Sequence, residues 1–143
     1  MKKSIALLAG LLLVSSTGFA ASLHSLNKNQ ITQLIANHTF TTISAVTLNG
    51  EIENNTFTGY WNKDGQMKGQ FANKPDNDPV QDQGKWMVKN DGSLCFTWDH
   101  WDNSKMNCVY AYETKNMVIF VNTNGKFESA VLKDNIKSGK HLS

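Results

Sequence analysis

Glycine preceded by asparagine or aspartate punctuates this chain four times, at Asn49-Gly50, Asp64-Gly65, Asp91-Gly92 and Asn124-Gly125. These dipeptides supply the left-handed backbone that a tight hairpin needs, so each marks a reversal between antiparallel strands. The stretches they separate have strand length and strand composition. Phe40 to Leu48 is rich in Thr, Ile and Val, and Thr56 to Asn62 and Gln66 to Phe71 follow it. Asn73 to Pro79 carries both prolines of the chain and reads as a loop. Lys85 to Lys89 resumes, with Trp86 and Val88 on one face and Met87 on the other. Leu94, Phe96 and Trp98 alternate with Cys95 and Thr97 in a fifth strand, and Met106 to Tyr112 forms a sixth. Met117 to Val121 is an unbroken apolar run, expected as a strand buried on both faces, and Lys126 to Leu132 is the eighth strand. The polar tail from Lys133 is expected to pack loosely.

The fold class is therefore all-β, an antiparallel eight-stranded meander. A lipocalin-like up-and-down barrel is its natural closure, because it leaves no exposed edge. Eight strands enclose an interior that side chains just fill, or that holds one small ligand. An open sheet wrapped on a helix is the competing arrangement. That helix is short and N-terminal: Leu26 to Ile35 has Asn27 as a cap and Ile31, Leu34 and Ile35 on one face.

Ahead of it, Lys2 and Lys3 precede an apolar run from Ile5 to Val14, and small residues at Gly18 and Ala20 follow. This is the pattern of a cleavable signal peptide, residues 1–20, cut after Ala20. The run is too short to span a bilayer, which takes about 20 residues, so no stable membrane insertion is expected after cleavage. Residues 21–143 then form a single domain, periplasmic or secreted. That domain is formally neutral, because Lys2 and Lys3 account for the net charge of +2. All 14 basic residues are lysine. With no arginine and no net positive charge, nucleic acid and phosphate-dense ligands are poor partners. In an exported chain the two cysteines, Cys95 and Cys108, read as a disulfide. A hairpin that sets Cys95 opposite Cys108 pairs Leu94 with Val109 and Thr97 with Met106, and keeps Leu94, Phe96 and Val109 on the face away from the sulfurs.

The series made of the short helix, Gly59-Tyr60-Trp61 with Asp64-Gly65, Gly84-Lys85-Trp86, Asp91-Gly92-Ser93-Leu94-Cys95 and a second cysteine at Cys108 resembles a group of small exported bacterial proteins known only as a domain of unknown function. The resemblance runs from about Leu26 to Val121 and implies a disulfide-bonded β domain outside the cytoplasm, with no substrate and no catalytic residues. At the level of architecture alone, the chain is also similar to small barrel inhibitors of exported bacterial proteases.

Four tryptophans dominate the candidate contacts. Trp86 and Trp98 fit a core. Trp61 and Tyr60 are adjacent in a strand, so one of them must point outward. Trp101 lies in a polar turn with Asp99, His100 and Asp102 and is expected to be partly exposed, which makes it the leading contact residue. A histidine between carboxylates also suits proton transfer or a metal, but no other histidine stands at a ligand spacing, and a solvated turn is the better reading. Asp76, Asn77, Asp78 and Asp82 offer oxygen ligands for calcium without the spacing of a calcium loop. Asn37-His38-Thr39 and Asn54-Asn55-Thr56 match the glycosylation sequon by chance. No nucleophile, metal site or cofactor motif stands out, so no catalytic residue, metal or cofactor is expected. The sequence points to a non-enzymatic exported binding module, taking a small apolar ligand in the barrel or a protein through the Trp101 loop. An inhibitor of an exported hydrolase, and a hydrolase built on Asp99 and Asp102, are the alternatives. An apolar cavity would favour the small ligand; a filled interior with a protruding aromatic loop would favour a protein.

Overall fold

Residues 23–43, 56–72 and 80–142 are described by the computed structural model. They hold three of the four glycine turns, and all three are built alike. Asn62, Lys89 and Asn122 each donate their N–H to the carbonyl four residues on and accept from the glycine three residues on. Gly65, Gly92 and Gly125 sit at φ of 86°, 84° and 77°, a conformation that costs glycine alone nothing. This is the three-residue hairpin loop with a glycine bulge. A side-chain oxygen completes each one, with Asp64 accepting from Gln66, Asp91 from Ser93, and Asn122 from Asn124 and Lys126. The expected leader with its cut, most of the Phe40 to Leu48 strand, the Asn49-Gly50 turn and the Asn73 to Pro79 loop lie outside the described residues.

The elements run β1 (His24–Ser25), α1 (Lys28–Ile35), β2 (His38–Thr41), β3 (Phe57–Trp61), β4 (Gln66–Phe71), β5 (Gln81–Val88), β6 (Leu94–Trp98), a 3-10 turn at Trp101–Ser104, β7 (Asn107–Glu113), β8 (Met117–Asn122), β9 (Phe127–Leu132), a 3-10 turn at Lys133–Asn135 and β10 (Ile136–Ser138). Pairing is antiparallel throughout, in the order β10-β2-β3-β4-β5-β6-β7-β8-β9, a nearly closed barrel of nine strands. Each expected strand has a counterpart, which makes the meander and its barrel closure the correct architecture. The tail corrects the expectation of loose packing. β9 breaks at the second 3-10 turn and continues as β10 along β2, while Ile43 N–H, just past β2, donates to Ala130 O of β9 at 2.9 Å. One interrupted strand thus seals the seam. β1 likewise fills the place on β7 beyond the end of β6.

Alternation decides which residues enter the barrel. β5 buries Asp82, Gly84 and Trp86 and exposes the residues between them. β8 was expected to be buried on both faces, but only Val118 and Phe120 are buried, and their neighbours are half-buried. With one face turned to solvent, an apolar run in a barrel strand need not be covered twice.

Helix α1 begins in a reciprocal capping box, Asn27 Oδ1 accepting from Gln30 N–H and Gln30 Oε1 from Asn27 N–H. It sits at the barrel end that carries the turns after β3 and β5. Lys28 Nζ donates to Asn90 Oδ1 there, and Asn37, just past the helix, donates to Trp61 O and accepts from Lys63 N–H. Ile31 and Ile35 are buried in one cluster with the inward barrel residues, so α1 stoppers this end. Among the described residues no helix is long and apolar enough to cross a membrane.

Cys95 and Cys108 are disulfide-bonded across β6 and β7, their Cα atoms 4.1 Å apart, the close spacing of a non-hydrogen-bonded pair. Leu94 faces Val109 as the register required, but the ladder stops at Phe96–Asn107, before the expected Thr97–Met106 pair. Replacing both cysteines with alanine is expected to lower stability by about 3 kcal/mol, because a closed loop of this length restricts the unfolded chain. Urea unfolding measures it, and an unchanged midpoint would contradict the estimate.

Candidate ligand-binding site

Among the described residues, a cavity of about 290 Å3 lies toward the barrel end opposite α1, walled by Phe40, Trp61, Leu94, Phe96, Trp98, Val109 and Phe120 and rimmed by Thr42, Ile43, Phe57, Phe71, Asp102, Phe127, Glu128 and Ser129. Its walls are aromatic because the inward positions of successive strands coincide in register. Phe40 lies stacked between Trp61, with ring centroids 5.5 Å apart, and Phe120, at 5.8 Å. Phe57 meets the central ring of this stack edge-on at 6.4 Å, and meets Phe71 and Trp98, tilted and edge-on, at 5.3 and 5.7 Å. Two glycines make room for it. Gly59 and Gly69 face each other across β3 and β4, and a Cβ on either would stand 2.6 or 2.5 Å from the Phe57 ring.

Trp101 is not an exposed contact; only 2 % of it reaches solvent. The 3-10 turn folds back over the barrel and inserts the indole against Trp98 at 4.8 Å and Phe71 at 4.9 Å. The residues that follow, Asp102, Asn103 and Ser104, all have left-handed backbone, with φ of 54°, 53° and 56°. Such residues cost of order 1–3 kcal/mol each unless their surroundings hold them. Asp82 does the holding. Its side chain is 2 % exposed, and it accepts from His100 N–H and Trp101 N–H, both at 2.9 Å, and from His100 Nδ1 at 3.0 Å. Burial alone would raise the Asp82 pKa. The bonds from the His100 ring and from the backbone of Trp101, His100 and Gln83 outweigh it and keep the carboxyl below its ordinary value. The same hydrogen bond, with the carboxylate's charge, lifts the exposed His100 imidazole above its own.

The six residues expected at a site therefore part company. Trp61 points into the cavity and Asp102 stands on its rim, accepting from Asn107 Nδ2 at 3.1 Å. Trp101 lies behind the aromatic wall. Tyr60 faces outward, and Asp99 and His100 are exposed at the turn. Asp82, weighed in the sequence only as a calcium ligand, is the anchor of the turn. Phe40, Phe57 and Phe120 were missed as site residues, although their period-2 positions would have shown which way they point.

No family model matches this chain. Neither does any curated protein or solved structure. The chemistry of the site therefore rests on its own geometry: an apolar, aromatic chamber stoppered by α1 at one end, its described rim at the other mixing aromatic, aliphatic and polar residues.

Proposed function

We propose that this protein is an exported, non-enzymatic binding module that holds one small, neutral, apolar ligand inside its barrel. The aromatic cavity carries the reading. Its volume of about 290 Å3 lies just below the roughly 300–1,000 Å3 typical of ligand sites, which suits a molecule of one or two rings. The burial of Trp101 takes away the exposed anchor on which a protein-partner reading depended. Asp99 and Asp102 are exposed, and Asp82, the one buried carboxylate among the described residues, is occupied by the turn it holds. The disulfide supports a location outside the reducing cytoplasm, periplasmic or secreted. The same reading keeps the chain with the small exported proteins that its Gly-x-Trp and Asp-Gly-x-Leu-Cys strands resemble.

Titration with α-methylstyrene, a single apolar ring, followed by tryptophan fluorescence, tests the proposal. Saturable binding is expected, and Val109→Phe, which fills the chamber, should weaken it at least about ten-fold, or 1.4 kcal/mol, at an overpacking cost of about 1–3 kcal/mol in stability. Absence of saturable binding, or equal binding by the filled variant, would overturn it.

A further inference from the structure

A ligand can press only on surface that solvent can also reach. Eight of the described residues lining the cavity are aromatic and three are aliphatic. Leu94 and Val109, like Phe40, Trp61, Trp98 and Phe120, are 5 % exposed or less, packed against one another in the barrel wall. Phe57, Phe71 and Phe96 are half-buried and Phe127 is exposed, while Ile43 is the one accessible aliphatic side chain among these lining residues. The apolar surface within reach is therefore almost all ring.

Two of those rings have no stacking partner. Phe40 lies stacked between Trp61 and Phe120. Phe57, by contrast, meets Phe40, Phe71, Trp98 and Trp101 only tilted or edge-on, at interplanar angles of 57° to 73°. Phe96 meets Trp61 and Trp98 at 86° and 67°. Among the described residues no ring is stacked on either. Gly59 and Gly69 fix where Phe57 lies. Its outer ring atoms are 2.5 to 2.9 Å from where a Cβ on either would stand, so the ring rests on bare backbone and its free surface turns to the chamber. Glycine inside a strand weakens it, and commonly marks a close approach of this kind.

We infer that the ligand carries a flat aromatic ring, which stacks offset on Phe57. Aromatic rings attract one another in offset-stacked or edge-to-face contact beyond the area they bury, and a saturated ring has no such term. This rests on the cavity being a ligand site, and it makes Phe57 the residue that selects among apolar molecules.

Toluene and methylcyclohexane share a carbon skeleton and differ in ring saturation. Dividing each affinity by that compound's water-to-hexadecane partition coefficient leaves what the chamber adds to simple removal from water. On that scale toluene is expected to be favoured about five-fold, and to shift the Phe57 ring-proton resonances upfield, as methylcyclohexane does not. Phe57→Leu should bring the two compounds within about two-fold of each other. Should that variant fold poorly, cyclohexylalanine at position 57 keeps the bulk and removes only the aromatic face. Equal corrected affinities in the native protein, or a preference that survives cyclohexylalanine, would overturn the inference and leave the cavity a ligand site. Failure of both compounds to bind would remove the cavity reading, and the inference with it.

Discussion

Trp101→Ala is expected to destabilise the domain by about 3–5 kcal/mol, the range for removing a large aromatic side chain from a packed core. The indole is 2 % exposed and touches the rings of Phe57, Phe71 and Trp98. Removing it leaves a hole behind the cavity wall and takes away the burial that offsets three left-handed residues in a row. The midpoint of urea unfolding should fall sharply with little change in slope. A loss under about 1 kcal/mol, the range of ordinary surface substitutions, would mean that the turn opens in solution and that Trp101 is free to contact a partner.

Asp82→Ala is expected to cost about 3 kcal/mol, since hydrogen bonds to a buried charged group are worth about 1.5–3 kcal/mol and the Trp101 N–H would be left without its acceptor. Because Asp82 and Trp101 hold the same turn, the double variant should lose less than the sum of the two single losses. Strict additivity would show that the carboxylate does not act through the indole. Asp82 and His100 together also set a pH window. Asp82 has a lowered pKa, so its contribution is complete above the ordinary carboxyl value of 3.8 and is lost as pH falls through the folded-state value below it. His100 has a raised pKa, so its contribution is complete below 6.5 and fades as pH rises through the higher folded-state value. Stability from this contact should be greatest between those limits, and Asp82→Ala should flatten the profile at both ends. An unaltered profile would show that other groups govern the titration.

Local chemistry made most of the barrel legible. Asp-Gly and Asn-Gly fix where the chain turns, Asn27 fixes where the helix starts, and pairing Cys95 with Cys108 sets the register of β6 and β7. These signals act over a few residues and survive in any context. β1 and β10 were not legible because strands of two and three residues have no period, and they pair only because the barrel leaves them an unfilled edge. Trp101 was misread for a related reason. Its flanking polar residues are wet, as their sequence implies, but the direction of the indole is decided by Asp82, eighteen positions away from His100. The glycines beneath Phe57 look like weak points in strands β3 and β4. Their purpose shows only when a ring from a neighbouring position lies on them.

The seam between β2 and the β9–β10 line also sets an order of events in time. Hairpins from β3 to β9 join near neighbours and can form as the chain emerges. The ring cannot shut until its last strand arrives: the Thr39 hydroxyl donates to Gly139 O across 100 positions of sequence. Contacts that distant pay their loop-closure entropy before they return anything, and they fold slowly. Until then β2 is a bare edge, able to pair with any extended chain it meets. A product ending before Ile136 would keep that edge permanently, with every hairpin of the meander intact.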